Sequence, residues 1–203
     1  MRPGLARCAA FVLGVCLGAP GQVIVFESKG LKYQTLTKRG VTVMYAHLAA
    51  HMHEFSILQV AVSNGSPGPY TIRPEDFTFV REDGEEIHAW AARSVVSLLM
   101  QKGGRSDVIK LVAAYETALY GIPHMRTTNG YELRRQNAVG TGMPQKLEAA
   151  AIASAIAFAQ TRIAPGQSTD GALFIPLTRE TKTLAGGKLV VRVEGQTFEF
   201  NPD

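Results

Sequence analysis

The hydrophobic period of this chain changes twice. Apolar residues recur at every second position in both end regions, and at every third or fourth position between about 90 and 160. Period two is the signature of half-buried strands and the longer period that of amphipathic helices. A chain with strands at both ends and helices gathered in the middle does not alternate strand and helix as parallel α/β proteins do. The helices enter most simply as an insertion of about three helices between two strands of a sandwich.

Short strand-like runs fill the first half: Val23 to Glu27, Leu31 to Lys38 and Val41 to Tyr45, separated by Gly30 and Gly40. Phe55 to Ser63 alternates so that Leu58, Val60 and Val62 share one face, and one buried side is expected. Dense turn chemistry follows at Asn64-Gly65-Ser66-Pro67-Gly68-Pro69, where Asn64 heads a glycosylation-type triplet with an unfavourable proline after it. Phe77 and Phe79 share a face before the Asp83-Gly84 turn. Ala92, Val95, Val96 and Leu99 then stand at helical spacing, ended by Gly103-Gly104. A second helix carries Val108, Leu111, Val112, Tyr115 and Leu119 on one side, with Ser106 as its expected cap and Asp107 at the positive end of its dipole. A polar stretch from 122 to 142 leads to an alanine-rich third helix from Gln145 to about Gln160. Strand character returns at Gly171 to Pro176, at Lys188 to Val193 with Leu189, Val191 and Val193 inward and Val190 outward, and at Gln196 to Asn201.

Both cysteines, Cys8 and Cys16, lie within the first twenty residues. Arg2 and Arg7 precede the short apolar run Cys8 to Gly18, and Ala19-Pro20-Gly21 supplies small residues of the kind a signal peptidase reads. Residues 1–21 therefore read as an export signal, with cleavage leaving Gln22 first and a single domain over 22–203. The run is shorter than the roughly 20 apolar residues that span a bilayer. A competing reading makes Leu13-Gly14-Val15-Cys16 a lipobox, with Cys16 as a lipid anchor. Loss of Arg2 and Arg7 lowers the formal charge from +4 to +2, and the remaining positive residues are scattered, unlike the clustered basic face of a nucleic-acid binder. The expected location is periplasmic or extracellular, with no transmembrane segment after signal removal.

Three segments carry a family resemblance. Phe55 to Asn64 (FSILQVAVSN), Ile72 to Phe77 (IRPEDF) followed by Asp83-Gly84, and Pro165 to Ser168 (PGQS) followed by Gly171 to Phe174 (GALF) resemble a broad group of bacterial exported proteins. These are immunoglobulin-like sandwich domains of unknown function. The resemblance spans about half of the mature chain and implies a mainly β fold, an immunoglobulin-like β-sandwich, here with the helical insertion at about 90–160. It brings no catalytic residues with it.

Ligand chemistry concentrates at His47, His51 and His53, flanked by Met44, Met52 and Glu54. Imidazole with thioether suits copper, and imidazole with carboxylate suits zinc. The three histidines share parity in an extended chain, but a turn at Leu48-Ala49-Ala50 would break that register, and with no Cys or close Asp to complete a site three solvated histidines near a strand end are the plainer expectation. Asp170 and Ser168 sit beside a turn, Glu85 and Glu86 are paired carboxylates, and His88 and His124 are isolated, so surface turns or solvated edges are expected there. Arg126, Tyr131, Arg134 and Arg135 lie in the polar stretch between helices and are expected on an exposed face open to an acidic partner. The leading expectation is a non-enzymatic envelope or secreted module that binds a protein or another envelope component. The alternatives are a periplasmic metal-binding protein using the histidines, and a hydrolase with a site on the insertion.

Overall fold

The computed structural model describes residues 21–52, 54–121, 131–138, 143–177, 184 and 186–201. Among these residues it is mainly β, with antiparallel sheets and four α-helices. The first sheet runs in the order β1 (Ile24–Ser28), β2 (Leu31–Lys38), β3 (Val41–Met52), β4 (Phe55–Asn64) and β9 (Ser168–Pro176). The second runs β11 (Gln196–Phe200), β10 (Lys188–Val193), β6 (Phe77–Val80) and β7 (Glu86–His88), and β5 (Tyr70–Ile72) pairs with β8 (Thr161–Ile163). Two-residue turns at Lys29-Gly30 and Arg39-Gly40 join the first hairpins. All four residues have positive φ, the twist that matches antiparallel strands, and this is why glycine stands second in each turn.

The first sheet is buried on both faces at β4 and β9, while β1 at its far edge is largely exposed. Leu58, Val60 and Val62 of β4 meet Phe77, Phe79, Leu189, Val191, Phe198 and Phe200 of the second sheet in one apolar layer. Phe55 and Ile57, of the opposite parity, join the helices' Val95, Leu99, Leu111, Tyr115, Ile152 and Ile156 in another. The single buried side expected for β4 is thus corrected to two, because the insertion covers the face that an exposed sheet would leave to water. Val190, expected outward, is also buried, opposite the buried Thr78 on the outer side of β10. Asn64 is fully buried and ties two turns together. Its Nδ2 donates to Gly68 and Ile163 carbonyls at 2.8 and 3.0 Å, and its Oδ1 accepts the Ser66 N–H at 2.9 Å, so the Asn64 triplet is a structural knot rather than an exposed acceptor.

The helical layer comprises α1 (Ala92–Lys102), α2 (Arg105–Leu119), α3 (Tyr131–Ala138) and α4 (Gln145–Ile156), four helices where about three were expected. The extra one, α3, lies in the polar stretch; its sequence YELRRQNA offers only Tyr131 and Ala138, seven residues apart, to the core. α2 is capped differently from expectation, because Asp107 rather than Ser106 accepts the Gly104 N–H at 2.8 Å. Small residues let α4 approach closely: a Cβ added to Gly103, at the end of α1, would stand 3.0 Å from the Ala149 Cβ. Both ends of the insertion are bonded to the outer edge of β9. Trp90 donates its N–H to the Phe174 carbonyl at 2.8 Å, and Phe158 does the same to Ala172 at 2.8 Å. At the second junction a Cβ on Gly171 would fall 2.6 Å from the Phe158 backbone, so glycine is what permits the crossing. These bonds occupy an edge that would otherwise invite another strand.

Candidate functional site

Beneath the helices the otherwise apolar layer contains a polar seam. Asp170 of β9 shares parity with Ala172 and Phe174, which belong to the helix-facing core. Tyr115 of α2 donates its hydroxyl to Asp170 Oδ2 at 2.7 Å, with both residues buried. The surface position expected for Asp170 is therefore corrected: the turn at Pro165-Gly166 is exposed, but the strand that follows runs under the insertion. A buried carboxylate is tolerated only with such hydrogen bonds.

The seam continues into α3. The Tyr131 ring packs edge-on against Tyr115, with centroids 4.9 Å apart, and its hydroxyl donates to Glu116 Oε1 at 3.1 Å. Arg135 brings Nε within 2.7 Å of the same oxygen, an ion pair in which the N–H is not aligned on its acceptor. Burial pushes the Tyr131 hydroxyl well above its ordinary value, and the Glu116 carboxylate beside it acts in the same direction. Arg134, half-buried, has Nε and Nη2 removed from solvent and without a partner among the described residues. On the neighbouring strand Gln59 is 0% exposed, opposite Ala46 and Ala172, and neither its amide nitrogen nor its oxygen finds a partner among the described residues.

The four residues assigned to an acidic partner thus fare differently. Tyr131 is not exposed but 0% accessible, because α3 forms and turns its first residue into the core. Arg134 and Arg135 both lie half-buried on α3, Arg135 against Glu116, and Arg126 lies outside the described residues. Sequence reading missed Gln59 and the Tyr115–Asp170 pair. The i, i+7 spacing of Tyr131 and Ala138 was the available signal for α3, and nothing local marked Gln59.

At the histidine segment, His47 is exposed with Nε2 2.7 Å from Ser56 Oγ. The β3–β4 register passes from Leu48 opposite Ile57 to His51 opposite Ser56, leaving Ala49 and Ala50 as a bulge where the break was expected. His53 and the His51 side chain lie outside what is described, and among the described residues no three His, Cys, Asp or Glu side chains gather as a metal site. A serine hydrogen-bonded to an imidazole is the pairing that activates a nucleophile, but Ser56 is 0% exposed and closed to substrate. Glu85 and Glu86 are exposed and paired with Arg81 and Arg192 at 2.6 and 2.9 Å. His88 Nδ1 stands 3.2 Å from Thr78 Oγ1, and His124 lies outside the described residues.

Among the described residues, no helix is long and apolar enough to cross a membrane. Comparison with protein-family models finds no match, and comparison with curated proteins finds none either. Among solved structures the YjhA protein from Bacillus subtilis is similar at 8% identity, over 83% of this chain and 76% of that one, with a TM-score of 0.32.

Proposed function

We propose that this chain is an exported, envelope-associated module that binds a protein or another envelope component through its helical layer, and that its scaffold is an immunoglobulin-like sandwich. One observation carries the binding reading. Of eight large apolar side chains exposed to solvent among the described residues, six belong to the insertion: Trp90, Met100, Ile109, Tyr120, Leu133 and Leu147. Their concentration in the insertion rather than on the sheets supports reading the helical layer as the interaction face. The scaffold reading is supported by strand order. β3-β4-β9 against β7-β6-β10-β11 corresponds to the A-B-E and C′-C-F-G orders of immunoglobulin-like sandwiches, with the helices inserted between C′ and E and the β1–β2 hairpin added at one edge. Export rests on the leader at residues 1–21, with acylation of Cys16 as its variant.

The test places a photo-crosslinking residue at Ile109 or Leu133, which are 59% and 66% exposed, and at the exposed Thr197 on the second sheet as a control. In the native envelope, adducts should form from the first two positions and not from Thr197. Adducts from Thr197 alone would refute the reading.

A further inference from the structure

We infer that Arg134 marks an oxyanion-binding site on α3, which takes a carboxylate or phosphate group of a ligand. The inference rests on the reading of the helical layer as the binding face and supplies the chemistry of what binds there. The Nε–H and one Nη2–H of a guanidinium lie side by side along one edge, and that edge matches two oxygens of a carboxylate or phosphate at once. In Arg134 these are the two nitrogens that are withdrawn from solvent and lack a partner among the described residues. The other half-buried arginines among the described residues face carboxylates: Arg81 meets Asp83 and Glu85, and Arg135 meets Glu116.

The acid that the adjoining Arg135 faces is already engaged. Glu116 Oε1 accepts the Tyr131 hydroxyl and faces Arg135. Nor does a guanidinium escape burial by losing its proton, as a lysine or histidine can, because it stays charged at any physiological pH. A buried cationic edge without a counter-charge among the described residues is unfavourable, and an anion from outside would complete the arrangement. Arg135 on the same helix adds a second positive group to the neighbourhood that such an anion enters.

The experiment is thermal melting of the full chain in chloride, in inorganic phosphate and in glutarate at matched ionic strength, with Arg134→Met and Arg134→Lys beside the wild type. The wild type should melt higher as phosphate or glutarate rises, with saturation. Arg134→Met should melt higher than wild type in chloride and respond to neither anion, since it removes the unpaired charge together with the site. Arg134→Lys keeps the charge but loses the two-pronged edge, so its apparent affinity should fall at least tenfold. It carries the test if the methionine variant fails to fold. A response to phosphate alone assigns a phosphate group, and a response to glutarate alone a carboxylate. No response in the wild type, or an equal response in the variants, overturns the site. Crosslinking at Ile109 reads the helical face independently, so the two ideas can fail separately.

Discussion

Gln59→Met should stabilise this protein. Gln59 sits in the middle of β4 on its helix-facing side, wholly buried, between the small residues Ala46 and Ala172, and both ends of its amide lack partners among the described residues. In the unfolded chain that amide is hydrated, so folding strips its water and returns nothing. Leaving a buried donor or acceptor unmade costs about 1–3 kcal/mol, whereas an apolar group of the same shape incurs no such penalty. Methionine matches glutamine closely in length and branching, which keeps the packing contribution small. The expected gain is therefore roughly 1–3 kcal/mol, or a melting temperature raised by about 2–12 °C for a chain of this size. Urea unfolding followed by circular dichroism measures it, and an unchanged m-value would show that the compactness of the two states is the same. A variant less stable than wild type by 1 kcal/mol or more would refute the reasoning, since the amide would then be shown to have partners that the methionine cannot replace.

Two further outcomes follow from the sheet-on-sheet core. Val60→Asp places an unpaired charge among Leu58, Val62 and Phe77 and should cost several kcal/mol, enough to abolish the folding transition, while Lys188→Glu, which loses an exposed ion pair with Glu199 at 2.8 Å, should cost less than about 1 kcal/mol in the same urea titration; equal effects would refute the assignment of inner and outer faces. Burial pushes the Tyr70 hydroxyl up to about 12, above its value of about 10 in an unfolded chain, so its contribution is fully present below pH 10 and is lost as pH rises through 12. The stability difference between wild type and Tyr70→Phe should be constant below pH 9 and shrink between pH 10 and 12; a difference independent of pH would count against the buried phenol.

Local chemistry was enough to locate most strands. The runs at Leu31 to Lys38 and Lys188 to Val193 coincide with β2 and β10, and the alternation of Leu58, Val60 and Val62, with Phe77 and Phe79, named the residues that fill the layer between the sheets. The stripes at Val95 and Leu99, and at Val108, Leu111 and Tyr115, marked α1 and α2 for the same reason: periodicity is written into a few neighbouring residues. Helix α3 escaped because two inward positions in eight, Tyr131 and Ala138, leave a segment that is polar almost all round.

What covers a face is not a local property. Ile57 and Gln59 alternate with Leu58 and Val60 as residues of an ordinary half-exposed strand would, and only the return of about 70 residues over that face buries them. The same return takes Asp170 from the edge of a turn to a hydrogen bond with Tyr115, 55 positions away, brings Tyr131 and Arg135 onto one carboxylate of Glu116, and withdraws two nitrogens of Arg134 from water. The amino-acid sequence by itself determined where most strands and the longer helices form and which residues line the layer between the sheets, because those follow from spacing. The tertiary structure decided which polar groups lost their water and which found partners, because desolvation depends on what the rest of the chain lays over them.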